Sequence, residues 1–165
     1  MASLETILIA TDFSDCSLRA LDYARVFSDR FGSSLHLLHV VAEPLHELWA
    51  CYSPGDAFVD LAEKLERDAR HQMRLLVRAD ERAARRVVIA AVWGDPVQEI
   101  LKYAREHAVD LIVCGTHGRH GLDRVAMGSV AERIVRLAPC PVLTVRGTEL
   151  ANASGERAAS SDAAS

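Results

Sequence analysis

One stretch of the chain gathers the residue types that hold an anion: Gly115-Thr-His-Gly-Arg-His-Gly-Leu-Asp-Arg-Val-Ala-Met-Gly128-Ser129. Glycines at 115, 118 and 121 let a backbone take positive φ and admit a ligand where a Cβ would stand in the way. His117, Arg119, His120 and Arg124 add donors or positive charge. Ser129-Val-Ala-Glu132 reads as an S-x-x-E capping box with Ser129 as the cap of the next helix. The free N–H groups and positive dipole end of that helix suit a phosphate. The plainer reading of the same residues is a tight strand-to-helix connection with a well-capped helix.

A second candidate lies far away in sequence. Leu4 to Ala10 is short, β-branched and apolar, the pattern of a strand buried on both faces, and it ends at Thr11-Asp12-Phe13-Ser14. Ser14 or Asp15 can cap a helix in which Ala20, Leu21, Ala24, Phe27 and Phe31 share a face, with Gly32 as its C-terminal stop. Strands are expected at 34–41, 86–92, 110–114 and 142–145. Between them, apolar residues recur at helical spacing from Phe58 to Leu76 and from Val97 to Ala104, the latter opened by Asp95 as N-cap and Pro96 at N1. Residues 43–57 read as an irregular excursion, and residues 147–165 as a disordered low-complexity tail after a domain spanning 1–146. His36 and His39 stand three apart on one strand, which sends them to opposite faces and argues against a shared metal.

The alternation of strands and helices predicts a parallel sheet with helices on both faces. Open doubly wound sheets bind ligands beyond the carboxyl ends of their strands, where the strand order reverses. If the first and fourth strands are central neighbours, Asp12 and the Gly115 loop share that crevice. Asp12 would then accept hydrogen bonds from a ribose or base while the loop and Ser129 hold phosphates. Neither G-x-x-x-x-G-K-[ST] nor a G-x-G-x-x-G after the first strand is present, so a Walker or dinucleotide site is not supported.

Composition narrows the partners. The 165 residues are half apolar and a quarter charged, with net charge −4, so no basic surface for nucleic acid stands out. No apolar run reaches the roughly 18–20 residues that span a bilayer. The start Met-Ala-Ser-Leu-Glu lacks a secretory pattern, and Cys16, Cys51, Cys114 and Cys140 form no C-x-x-C pair. A reducing cytoplasm is the expected setting, without zinc.

Taken in order, these residues resemble the universal stress protein family. Gly115-x2-Gly118-x9-Gly128-Ser129 is similar to the nucleotide-binding signature of its ATP-binding branch. Ile7-Leu-Ile-Ala-Thr-Asp12, His39-Val-Val, Gly94-x-Pro96-x3-Ile100, Asp110-Leu-Ile-Val-Cys-Gly115 and Cys140-Pro-Val-Leu-Thr-Val145 extend the likeness over about residues 4–146. The resemblance implies an open, doubly wound α/β fold with a five-stranded parallel sheet of order 3-2-1-4-5, of the adenine nucleotide alpha hydrolase-like kind. It implies ATP in the crevice and a homodimer that often pairs its fifth strands. By carry-over, Asp12 would contact ribose and adenine, Val40 the adenine through its backbone, and Gly115 the ribose. His117, Gly118, Arg119, Gly128, Ser129 and Val130 would surround the phosphates.

Holding ATP does not require hydrolysing it. Hydrolysis needs a positioned water, a base and a metal such as Mg2+ near the β- and γ-phosphates, and the candidate carboxylates are few, Asp12 and Asp123. The expected function is therefore a nucleotide-dependent regulator or sensor in the stress response, with no catalytic residue assigned. The alternatives are a weak ATP hydrolase or phosphotransfer protein, and a dimeric interaction module that binds no nucleotide.

Overall fold

The computed structural model describes residues 4–41, 56–77, 79, 81, 87–117 and 128–147. Among the described residues, strands β1 (Thr6–Ala10), β2 (Ser34–Val41), β3 (Val87–Trp93), β4 (Leu111–Gly115) and β5 (Val142–Val145) alternate with helices. The helices are α1 (Asp15–Phe31), α2 (Asp56–Leu76), α3 (Pro96–Glu106) and α4 (Ser129–Leu137). All neighbouring strands run parallel, in the order β3-β2-β1-β4-β5. The expected doubly wound α/β sheet is thus the observed one. The strands at 86–92 and 110–114 each begin and end one residue later than expected, at Val87–Trp93 and Leu111–Gly115.

Side chains of each strand alternate between two cores. Ile7 and Ile9 point to the layer of α1 and α2, packing with Ala20, Leu21, Ala24, Met73 and Val113. Leu8 points the other way, to α3 and α4, with Ile100, Tyr103, Ile112 and Ile134. Burial on both faces explains why β1 and β4 are apolar at consecutive positions.

Local signals set the helix ends. Ser14 is the N-cap of α1 and its hydroxyl accepts from Ser17 N–H, while Gly32 closes the helix at φ 71° with its N–H on Ser28 O (2.9 Å). Asp95 caps α3, accepting from Gln98 N–H at 2.9 Å, with Pro96 directly after it. At the amino end of the sheet, Asp110 Oδ2 accepts from Glu5 N–H and Thr6 N–H at 2.8 and 2.9 Å, fixing the start of β1 against β4. The 43–57 excursion lies outside the described residues except for Asp56 and Ala57, which open α2; the tail from 148 onward also lies outside them.

The two histidines of β2 do part to opposite faces. His36 Nδ1 lies 3.0 Å from the Tyr103 hydroxyl of α3, with the His107 ring 5.5 Å away, centroid to centroid. His39 turns instead to the end of β1. Among the described residues no group of three or more His, Cys, Asp or Glu could hold a metal. Partial burial, and secondarily the neighbouring His107, hold the His36 pKa below its ordinary value. A folded pKa below the unfolded one means that the unfolded chain binds more protons on acidification, so this part of the stability is present above about pH 6.5 and is lost as pH falls through the depressed value. Urea unfolding between pH 7.5 and 5 should therefore show falling stability, and His36→Phe should flatten that fall; an equally steep slope in the variant would remove His36 as its source.

Candidate functional site

The carboxyl ends of β1, β2 and β4 meet where the strand order reverses. β1 last pairs at Ala10, opposite Leu38 of β2 and Cys114 of β4. β2 runs on through His39, Val40 and Val41, and β4 through Gly115. The Thr11–Ser14 turn therefore sits in the gap between two strands that run further at this end, the switch-point crevice in which doubly wound folds take ligands.

Asp12 is held there by its own turn. Its Oδ1 accepts from Ser14 N–H (3.1 Å) and from the Ser14 hydroxyl. Ser14 Oγ also lies 3.5 Å from His117 O at the end of β4, so it stands between the two candidate segments. Beneath them a chain of hydroxyls runs in one direction. Ser17 Oγ donates to Ser14 O (2.9 Å), so the proton between Ser17 and Thr11 (3.0 Å) belongs to Thr11, and Thr11 Oγ1 in turn accepts from Phe13 N–H (3.1 Å). Thr11 and Ser17 are buried, and each finds its partners in this relay.

On the β4 side, Thr116 is the junction. Its N–H donates to Val145 O (2.8 Å), its carbonyl accepts from Gly128 N–H (2.7 Å), and its hydroxyl pairs with His117 Nδ1 (2.9 Å). Thr116 thereby ties β5 and the start of α4 to the end of β4. His117 and Gly128 are half-buried, and Ser129 and Val130 lie exposed on the first turn of α4. Val40 is half-buried and packs with the core of α3 and α4, one strand step beyond His39. Asp12, Val40, Gly115, His117, Gly128, Ser129 and Val130 are therefore all placed around this end of the sheet. Gly118, Arg119, His120, Gly121, Asp123 and Arg124 lie outside the described residues.

Two expectations about the loop need correction. Ser129 is not the cap of α4. Gly128 is, at φ −61° and ψ 146°, and among the described residues no side chain caps the helix. The contact of Gly128 N–H with Thr116 O sets the entry angle, so Ser129 falls at the first helical position and the S-x-x-E pattern forms no box. Gly115 is not in the positive-φ region either. A Cβ there would stand 2.8 Å from Cys16 Cβ and 3.0 Å from the Cys16 carbonyl carbon, so glycine is required for β4 to pass against α1. At Gly128 a Cβ would meet Thr116 O at 3.0 Å. Thr11, Phe13, Ser17 and His39 are the site-forming residues that sequence reasoning missed; a Thr and a Ser six apart around a turn carry no pattern that distinguishes them from surface hydroxyls.

Two of the thiols, Cys114 and Cys140, are inert. Burial pushes the Cys114 pKa up to about 11, and raises that of Cys140 with help from the Asp110 charge. Such thiols stay protonated and unreactive at neutral pH.

These contacts set the stability of the site apart from its chemistry. Gly115→Ala should destabilise the fold by about 1–3 kcal/mol in urea unfolding, because the added carbon meets helix backbone. Ser129→Ala should change stability by less than about 0.5 kcal/mol, as for an exposed position without a cap bond. A larger loss at Ser129 would restore it as a cap.

Residues 3–146 match the model of the universal stress protein family. Universal stress protein YxiE of Bacillus subtilis is 33% identical over 147 residues, covering 85% of this chain and 97% of its own. The solved structure of protein MJ0577 superimposes with a TM-score of 0.77 at 30% identity, over 89% of this chain and 99% of that one. Universal stress protein UspA from Lactobacillus plantarum follows with 0.70 at 28% identity, over 88% and 100%. A universal stress protein in complex with cAMP superimposes with 0.56 at 25% identity, over 89% and 100%. With strand order, switch-point site and family match in agreement, the chain belongs to the universal stress protein family.

Proposed function

We propose that this protein binds ATP in the switch-point crevice and works as a nucleotide-dependent regulator in the stress response, in the cytoplasm. The observation that carries this reading is the start of α4. Among the described residues no side chain caps it, its first residues are exposed, and it is tied through Thr116 and His117 to the turn that fixes Asp12. Backbone N–H groups at such a helix start favour a phosphate. Asp12, whose carboxylate Ser14 orients within the turn, supplies an acceptor for ribose hydroxyls or the adenine edge, with the Val40 backbone, at the carboxyl end of β2, assigned to the adenine. Gly118 and Arg119 complete the G-x2-G-x9-G-S signature from sequence. The relative in complex with cAMP carries an adenine nucleotide on the same fold, which supports this ligand class.

Binding, rather than turnover, is the role this site supports best. Mg2+ would accompany the phosphates. Mass spectrometry of small molecules released from the purified protein should find adenine nucleotide. ATP at about 100 times its Kd should raise stability by roughly 2.7 kcal/mol. Asp12→Ala should weaken ATP by about 10- to 100-fold in calorimetric titration, the scale of a lost hydrogen bond to a charged group. No thermal shift and no released nucleotide would leave an interaction module instead. Multiple turnovers of labelled ATP abolished by Asp12→Ala would make it a hydrolase.

We further propose a homodimer through β5. Among the described residues β5 pairs only with β4 and so stands at an outer edge of the sheet. The Pro141 and Val145 carbonyls turn inward, to Ile112 N–H and Thr116 N–H. By the two-residue period of a strand, the peptide groups of Val142 and Thr144 face outward, toward a second copy. Thr144→Pro removes one outward N–H while sparing the inward bonds. Sedimentation should then report monomer where the unaltered protein sediments as a dimer, with the circular dichroism of the fold retained; an unchanged dimer would place the interface elsewhere.

A further inference from the structure

Asp12 sits between two residues that β2 holds from outside the turn. Thr11 N–H donates to Leu38 O at 2.9 Å, and Thr11 O accepts from His39 Nδ1 at 2.7 Å. A carbonyl only accepts, so the His39 proton lies on Nδ1 in this contact. On the other side of Asp12, Phe13 adopts φ 65°, the left-handed region that a bulky residue rarely occupies. Its ring lies over the His39 imidazole, 4.6 Å between centroids and tilted by 39°. It also packs against the core of α1 and α2. One side chain, His39, thus grips the peptide before Asp12 by a hydrogen bond and the residue after it by ring contact.

We propose that His39 and Phe13 are positioning residues for Asp12: the His39–Thr11 hydrogen bond and the Phe13–His39 ring contact hold the Asp12 backbone where its carboxylate meets the nucleotide. This deepens the nucleotide reading and rests on it for the ligand. Backbone in a sparsely populated region persists where its surroundings over-determine it, and such residues cluster at ligand clamps. Ser14 fixes the Asp12 carboxylate from within the turn. Its own contact with the sheet is the long one to His117 O at 3.5 Å, which leaves room for a closer restraint. That second restraint comes from β2. His39 immediately precedes Val40, so one strand step sets both the Asp12 position and the backbone assigned to adenine. A displacement of about 1 Å at a reacting or binding group is enough to lose much of its effect.

Two substitutions separate the hydrogen bond from the ring. His39→Phe keeps an aromatic ring against Phe13 and removes the Nδ1 donor. His39→Asn removes the ring and places an amide N–H at the distance from the backbone that Nδ1 occupies. Crystal structures of both, without ligand, should show Asp12 shifted by about 1 Å or more, or Phe13 out of the left-handed region, in His39→Phe, and a smaller shift of Asp12 in His39→Asn, which keeps the donor but not the ring. Calorimetric ATP titrations should show about a tenfold weaker Kd in His39→Phe, the scale of one lost hydrogen bond, and a smaller loss in His39→Asn. An unmoved Asp12 in His39→Phe overturns the proposal whatever ATP does. Equal loss of affinity in both variants also overturns it, since a merely structural role would not be rescued by a donor alone. If the unaltered protein binds no ATP, the nucleotide reading fails separately and the crystallographic comparison still decides the position of Asp12. Should His39→Phe not fold, Phe13→Gly tests the other contact: glycine accepts the same φ, so a several-fold loss of affinity assigns the effect to the missing ring, and unchanged affinity counts against it.

Discussion

The end of β4 passes so close to the start of α1 that no side chain fits between them, and the site follows from that approach. With Cys16 Cβ only 2.8 Å from where a Gly115 Cβ would stand, the strand end and the helix N-terminus meet through backbone and small groups alone. The contact brings Ser14 within 3.5 Å of His117 O and leaves Thr116 facing β5 on one side and Gly128 on the other. Gly147 continues the pattern, since a Cβ there would lie 2.9 Å from Cys16 Sγ. A larger residue at 115 would push α1 outward and open the space between Asp12 and the start of α4. Close packing transmits such a displacement, because an interior at crystal density has little slack to absorb it.

That approach places polar backbone at the edge of a core that is otherwise dry, and the local hydroxyls satisfy it. Thr11 and Ser17 are buried yet fully engaged, and their relay ends on Ser14 O at the first turn of α1. A valine at 11 would keep the shape and strand the Phe13 N–H. The amino end of the sheet uses the same means. There Asp110 anchors the start of β1 from one side, the Ser33 hydroxyl donates to Leu4 O and Ser34 donates to Glu5 O from the other, and Ile7, Leu8, Ile9, Ile112 and Val113 are wholly removed from solvent. The carboxyl edge differs in that β2 and β4 run on past the end of β1, which leaves the Thr11–Ser14 turn between them.

Strong periodicity made the sheet legible from sequence. Two-sided burial gave β1 and β4 continuous apolar runs, and Gly32, Asp95 and Pro96 marked helix ends through conformations that few residues share. Asp12 and the Gly115 loop were legible as candidates, and the strand order then brought their described parts together. The roles of the glycines were not. Sequence shows that a Cβ is missing, but only the three-dimensional approach shows whether helix backbone or a ligand needs the space, and at Gly115 it is Cys16. The His39–Thr11 and Thr11–Ser17 contacts were also beyond reach, since they depend on register and rotamer rather than on spacing along the chain. The strand ends slipped by one residue for a related reason: Gly115 has no side chain to signal a strand, yet it pairs with Val145.

Ser129 shows how a correct local rule can yield to a tertiary contact. Serine ahead of an apolar helix with glutamate three residues later is a sound capping pattern, and isolated from the fold it would favour Ser129 as the cap. Gly128 takes that place because its N–H meets Thr116 O at 2.7 Å and its missing Cβ lets the chains come that close. Glycine is only a few tenths of a kcal/mol poorer than serine as a cap, so the exchange costs the fold little. What it changes is the use of the first turn. A serine cap would spend its hydroxyl on the helix's own N–H groups, whereas at the observed start of α4 no side chain of the described residues accepts from them. In the nucleotide reading, an anionic phosphate takes the acceptor's part, and binding itself completes the helix cap.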